Sequence, residues 1–281
     1  MSIHSENESV SGLPPLDSEY PVLPEQIASF RENGHVLLRG VASFQEIEAY
    51  KPLIGTTTGR YNQENRPLEQ RDTYAKAFLQ VTNLWRRDAG VARFVLARRF
   101  AKIAADLMGV DAVRLYHDQA LYKEPGGGQT PWHQDQFYWP FETPNMVTMW
   151  MPLVDVPVEK GALSFASGSH AKGSVCGLSI SDESEREIAA IVEENQFPIA
   201  VEDMRAGDAT FHGGWTLHRA PPNNTSELRE VMTIIYFEDG ATLATPKSRF
   251  QQNDLEAWFP GQKPGEPAAS ELNPIVYKKQ A

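Results

Sequence analysis

From Ala112 onward the chain alternates short apolar runs with turn residues, the pattern of an antiparallel β structure. Segments Val113–Tyr122, Val147–Val154, Ala162–Phe165, Ile199–Glu202, Ala209–Phe211, Thr216–Arg219 and Arg229–Glu238 read as strands, and a helical insert spans Glu183 to Glu194. Before Ala112 the period changes. Pro24–Arg31 reads as a short helix closed by Asn33-Gly34, His35–Arg39 as a strand, and Phe44 to about Leu53 as a second helix. The polar stretch Thr56–Arg71 predicts a long loop. Leu96, Phe100, Ile103 and Leu107 recur at helical spacing and predict one helix over Val91–Met108, its arginines on a solvated face. Residues 1–20 are too polar to order and predict a disordered leader. The proline-rich tail after Thr245 is expected to wrap the outside. The sum is one domain over residues 21–281: flanking N-terminal helices on a mainly β sandwich or barrel.

Apolar residues make up 41% of the chain, enough to bury a core. The formal net charge of −11 argues against a nucleic-acid surface, which needs clustered Lys and Arg. A single cysteine, Cys176, excludes an internal disulfide and a cysteine-rich zinc site. No apolar run is long enough for a membrane helix, and the first residues lack a signal-peptide core. A cytoplasmic enzyme with no obligate protein partner fits these features.

The candidate chemistry lies in Pro131-Trp-His-Gln-Asp-Gln-Phe-Tyr-Trp-Pro140. His133 and Asp135 are two apart, so in extended backbone they leave the same face and can hold adjacent positions on one metal. A third ligand must come from elsewhere. The stretch Gly207–Asn224 offers His212 and His218. A hairpin after His218 would return Arg229 beside it in the ladder, placing a guanidinium fork near the metal. A metal with open positions and a nearby arginine suits a keto-acid with a carboxylate at each end.

These motifs resemble the phytanoyl-CoA dioxygenase family of iron(II)/2-oxoglutarate oxygenases. The likeness rests on Asn83-Leu-Trp85, Pro131–Asp135 with Tyr138 and Pro140, Gly161–Phe165, Gly168-Ser-His170, Gly207-Asp208, His212-Gly213, His218 with Ala220 and Asn223, and Arg229, across roughly residues 24–240. It implies a double-stranded β-helix (jelly-roll, cupin-like) core. It also implies His133, Asp135 and His218 as iron ligands, Arg229 as the clamp for 2-oxoglutarate, and O2 as the oxidant. Trp150 and Lys123 occupy places that line or touch the co-substrate in the family. Ala220 stands where some relatives carry a hydroxyl residue. Asp135 is intact, which argues against the halogenating branch, where a small residue replaces it.

The expected reaction is hydroxylation of an unactivated C–H bond with release of succinate and CO2. Desaturation, cyclisation or epimerisation would use the same chemistry. A cupin-like metalloenzyme without 2-oxoglutarate would have no use for Arg229, and a non-catalytic binding protein no use for the converging triad. Around the pair, Trp132, Phe137, Tyr138, Trp139 and Phe141 predict an aromatic-walled pocket. Gln80, Asn83 and Arg60 are the polar candidates for orienting a small-molecule substrate. His35 and His117 are read as structural, and His170 as bonded to backbone.

Overall fold

The alternating segments fold into two antiparallel sheets in the computed structural model, which describes residues 12–280. The strands are β1 (His35–Leu38), β2 (Leu79–Thr82), β3 (Ala112–Tyr122), β4 (Thr130–His133), β5 (Met146–Pro152), β6 (Ser164–Ala166), β7 (Ile199–Val201), β8 (Ala209–Gly213), β9 (His218–Ala220), β10 (Val231–Glu238) and β11 (Ile275–Lys278). The larger sheet runs β1-β8-β5-β10-β3-β11, with β2 also paired to β3; the smaller runs β4-β9-β6-β7. This is a jelly roll: from β3 to β10 the chain crosses repeatedly between the two sheets, whose inner faces enclose a cavity. Register aligns His117, Ile235, Thr148 and His212 in one row across β3, β10, β5 and β8. Gln119, Thr233, Trp150 and Thr210 form the parallel row two residues on.

Helices α1 (Pro24–Asn33), α2 (Phe44–Tyr61), α3 (Thr73–Ala77), α4 (Ala89–Val95), α5 (Arg98–Met108), α6 (Asp182–Glu194) and α7 (Arg249–Trp258) complete the fold. The main apolar core lies between the early helices and the outer face of the larger sheet, where Ile47, Tyr50, Phe94, Phe100, Ile103 and Leu107 meet Leu115, Met149, Met151 and Ile234.

Several elements depart from expectation. The loop expected from Thr56 begins as helix, because α2 runs on to Tyr61 through Pro52. A capping box at Ser43 and Glu46 starts it, and the buried stripe Ile47, Tyr50, Ile54, Thr57 and Thr58 keeps it against the core. Two of that stripe's members are threonines, which read as loop in sequence. The helix expected over Val91–Met108 is two, broken at Leu96–Ala97, where Ala97 is extended. The break lets Phe94 and Phe100 meet edge to face at 5.2 Å.

Arg99 leaves the solvated face: it is buried, donating to Ser18 O at 2.8 Å and Val41 O at 3.1 Å and pairing with Glu46 at 2.9 Å. Those contacts correct the leader as well. Residues 1–11 lie outside the described residues, but 12–20 follow the core, with Leu16 buried and Tyr50 Oη donating to Pro14 O at 2.7 Å. The tail does more than wrap the surface. Leu255 and Phe259 enter an aromatic cluster with Tyr116, Phe141 and Phe237, and β11 extends the larger sheet.

Candidate metal centre and its cavity

β4 and β9 pair so that His133 stands directly opposite His218 in the smaller sheet. Gln134 is extended, and Asp135 follows at the start of a 3-10 turn, so both members of the pair face inward. Each histidine nitrogen Nε2 lies 3.6 Å from Asp135 Oδ1. One donor atom from each of the three falls within 4.8 Å of the others. A single ion with bonds of about 2 Å can bridge such a spacing.

Backbone carbonyls set the tautomers. His133 Nδ1 lies 2.8 Å from Pro131 O and His218 Nδ1 3.0 Å from Thr216 O. A carbonyl only accepts, so each Nδ1 carries the hydrogen and each Nε2 presents a lone pair. Burial, and for His133 the neighbouring His218, lowers both imidazoles to about 4, keeping them neutral. Burial alone would raise Asp135, yet His218, His212 and His133 outweigh it and hold the carboxyl well below the carboxylate range. Thr148 Oγ1 donates to the second oxygen, Oδ2, at 2.9 Å. His212, the other candidate for third ligand, lies 3.4 Å from that same Oδ2, outside the three-residue group.

Arg229 reaches the cavity by another route than the hairpin expected from sequence. His218 pairs with His133 and Phe165 in the smaller sheet, whereas Arg229 bridges to Lys123 just before β10 in the larger. The chain crosses between sheets over residues 221–228, so the two side chains approach from facing walls. Arg229 is 1% exposed. Its Nη1 donates to Gly161 O at 2.6 Å, its Nε has no partner among the described residues, and its guanidinium lies 5.4 Å from the Trp150 ring centre. Among the described residues no carboxylate pairs with it. Burial lowers its pKa to about 9.

The triad, Arg229, Trp150, Thr130 and Ala220 line one cavity of about 510 Å³. Gln80 and Tyr138 line it too, Tyr138 Oη accepting from Ile180 N at 2.8 Å. Other candidates fall elsewhere. Lys123 is fully buried, and its Nζ donates to Gly128 O at 2.7 Å and Pro221 O at 3.0 Å instead of facing the cavity. Burial and nearby Arg229 lower it to about 6. Asn83 takes a left-handed backbone and accepts from Trp85 Nε1; its neighbour Thr82 is the cavity residue. Trp132 packs in a separate cluster beneath Arg219, and Phe137 meets Tyr138 edge to face and Phe250 at a tilt, outside the lining. Arg60 is exposed on α2.

His35 is structural as expected, stacked on Phe165 at 4.4 Å and bonded to Ser167 Oγ at 2.8 Å. His170 meets the backbone oxygen of Arg31 at 3.1 Å. His117, read as a core imidazole, instead forms part of the cavity wall. Sequence reasoning also missed Thr148, which the period-two relation to Trp150 could have indicated. It missed Phe250, Asp254 and Trp258, spaced four apart along one face of α7.

A jelly roll with two neutral imidazoles, one carboxylate and a buried unpaired arginine around a single cavity has the form of a non-haem metal oxygenase. Residues 30–231 match the model of "Phytanoyl-CoA dioxygenase (PhyH)", and the chain belongs to that family, within the iron- and 2-oxoglutarate-dependent oxygenase superfamily. Over 148 residues it is 30% identical to methylphosphonate hydroxylase of Gimesia maris, covering 53% of this chain and 54% of that protein. It is 25% identical over 131 residues to the probable alpha-ketoglutarate-dependent hypophosphite dioxygenase of Stutzerimonas stutzeri, covering 44% and 45%. The chain thus spans about half the length of these curated relatives. Among solved structures, the carbocyclase SnoK from nogalamycin biosynthesis superposes with a TM-score of 0.75 at 24% identity, covering 95% of this chain and all of that one, a likeness of fold. The epimerase SnoN, in complex with Fe3+, alpha ketoglutarate and nogalamycin RO, gives 0.74 at 26% identity, covering 90% and 97%.

Proposed function

We propose that the protein is an iron(II)- and 2-oxoglutarate-dependent dioxygenase that hydroxylates an unactivated C–H bond of a small or medium organic metabolite, releasing succinate and CO2. One observation carries the reading: a fully buried arginine, with no acidic side chain paired to it among the described residues, shares a cavity with a His-Asp-His triad. A buried guanidinium lacking a counter-charge is costly, so the site is complete only with an anionic ligand. Metal chemistry without a keto-acid would leave Arg229 unexplained, and a silent scaffold would leave the triad unexplained.

The donor set fits the metal. His133 and His218 would hold iron(II) through Nε2, their rings fixed by the Pro131 and Thr216 carbonyls, and Asp135 through Oδ1, restrained by Thr148 on its other oxygen. Two imidazoles and one carboxylate leave three positions open. Iron(II), when bound with 2-oxoglutarate and O2, supplies the oxidising power for C–H cleavage. Arg229 fixes the far carboxylate of the co-substrate with its free donors, and Trp150 walls that end. Where some relatives have a hydroxyl beside the clamp this chain has Ala220; Thr130, opposite it in the ladder and in the cavity lining, would supply a hydroxyl there. The apolar walls orient the substrate and keep water out. Epimerisation, suggested by the likeness to SnoN, requires only another substrate pose against the same residues. The chain acts as a cytoplasmic enzyme; no described helix is long and apolar enough to cross a membrane.

The test is an anaerobic titration of metal-free protein with iron(II), then 2-oxoglutarate, following the visible charge-transfer band of a chelated keto-acid. We expect a band that is absent in His218→Ala and needs roughly a hundredfold more 2-oxoglutarate in Arg229→Ala, the loss of about 3 kcal/mol of charged hydrogen bonding. Iron binding without any band would overturn the 2-oxoglutarate assignment.

A further inference from the structure

The cavity is electrically lopsided. Arg229 is its only lysine or arginine among the described residues, and the proposed function assigns it to the co-substrate. Ile235, beside His117 in the ladder, stands six residues beyond Arg229, about 20 Å further along the strand. At that end the walls carry the opposite character. Asp254 presents a carboxyl to the cavity from α7, with no ion pair among the described residues. Tyr116 Oη donates to its Oδ2 at 2.7 Å, and the Trp258 side chain also bonds to it. Burial, resisted by those two bonds, raises the carboxyl to about 6, the response of an anion lacking a counter-charge.

Beside it, His117 is 5% exposed and stacks on Trp258 at 4.6 Å. Its Nδ1 makes no hydrogen bond among the described residues, and the charge of Asp135 and, more weakly, the Asp118 backbone only partly offset its burial. Burial keeps this imidazole neutral, so it adds no positive charge. Tyr74 Oη donates to Gln80 Oε1 at 2.8 Å and Gln80 Nε2 donates to Gln119 Oε1, a neutral amide chain on the adjoining wall. Phe78, Tyr138, Phe250 and Trp258 supply the apolar surface.

We propose that this half of the cavity recognises a protonated amine carried on an apolar ring, with Asp254 as the counter-charge and the aromatic walls around the ring. The proposal deepens the function given above and rests on it. In register, His117 lies two strands from Thr148, about 10 Å, so a ring-sized spacer separates the amine from the C–H bond presented to the metal. A buried carboxylate in an aromatic enclosure favours a cation twice, by charge and by the ring faces. An anion such as the phosphonate of the methylphosphonate hydroxylase's name would meet Asp254 with no second cation to balance it.

The test uses the full chain loaded anaerobically with iron(II) and 2-oxoglutarate, the charge-transfer band being recorded first. 2-Phenylethylamine, 2-phenylethanol and 2-phenylethylphosphonate are then titrated by calorimetry into the native protein and into Asp254→Asn. We expect the amine to bind about tenfold or more tighter than the alcohol, the phosphonate to bind weakest, and the preference for the amine to vanish in Asp254→Asn with the band unchanged. Equal binding of amine and alcohol, tighter binding of the phosphonate, or no binding of any probe by protein that shows the band overturns the amine site. Absence of the band itself counts against the function proposed above and is read before any probe is added. The comparison within native protein stands even if the variant does not fold.

Discussion

Arg229 and Gly161 act together. The glycine has φ +89, and among the described residues its carbonyl is the one hydrogen-bond acceptor for the guanidinium. A Cβ there would meet Pro221 O at 2.9 Å and Arg229 Nη1 at 3.3 Å, so any side chain must push the loop or the arginine aside. Gly161→Ala is expected to leave iron affinity intact while raising the 2-oxoglutarate concentration for half-maximal band formation about tenfold. Loss of iron binding instead would show that Gly161 supports the triad. The residue scale also separates what the sequence can and cannot say. His133 and Asp135 were legible because a period of two orients side chains without any tertiary knowledge. Choosing His218 over His212 needed the family likeness, since both lie in strand-like sequence. Lys123 illustrates the opposite case: its place matches the family's contact, yet three oxygen atoms from loops after β3, within β4 and after β9 draw its ammonium away. No local pattern announces those loops.

At the scale of elements, the joint between the early helices and the jelly roll depends on Gly207. It has φ +86, its N–H donates to Pro152 O at 3.0 Å, and its carbonyl accepts from Ala42 N at 2.9 Å. An added Cβ would sit 2.1 Å from Ala42 O. Gly261 has nearly the same φ, +82, with nothing within 4 Å of an added Cβ. The pair separates strain from collision. Gly261→Ala should cost about 1 kcal/mol of unfolding free energy, the left-handed penalty alone, and Gly207→Ala several kcal/mol. Urea denaturation gives both, and equal losses would mean that the Ala42 segment yields freely. Strands were readable here because alternation and turn residues repeat locally. The C-terminal helix was not. Phe250, Asp254 and Trp258 share one face, but only the packed barrel shows that this face closes a cavity. Prolines around it suggested an outer wrap, and a helix with two buried anchors, Leu255 and the following Phe259, was hidden between them.

For the molecule as a whole, the buried histidines set its response to acid. Burial lowers His35, His133 and His218 to about 4 and His117 to about 3, with neighbouring histidines adding to the effect on His35. A histidine depressed in the native state stabilises the fold above its unfolded pKa of about 6.5, and that contribution is lost as pH falls toward the folded value. Two carboxyls act in the opposite sense. Burial raises Asp118 to about 7 and Asp254 to about 6, so the native state holds their protons where the unfolded chain has released them, and each favours folding as pH drops. Near pH 5 the unfolded chain therefore binds four histidine protons against two carboxyl protons held by the native state. The balance, about two protons, gives a loss on the order of 2–3 kcal/mol per pH unit. The metal-free protein should accordingly have a lower urea midpoint at pH 5 than at pH 7. Two substitutions tell the opposing groups apart. His35→Asn removes one proton from the unfolded side and should flatten the loss, whereas Asp118→Asn removes a compensating carboxyl and should steepen it. A midpoint that rises on going to pH 5 would mean that the carboxyls, and not the histidines, govern the acid limb.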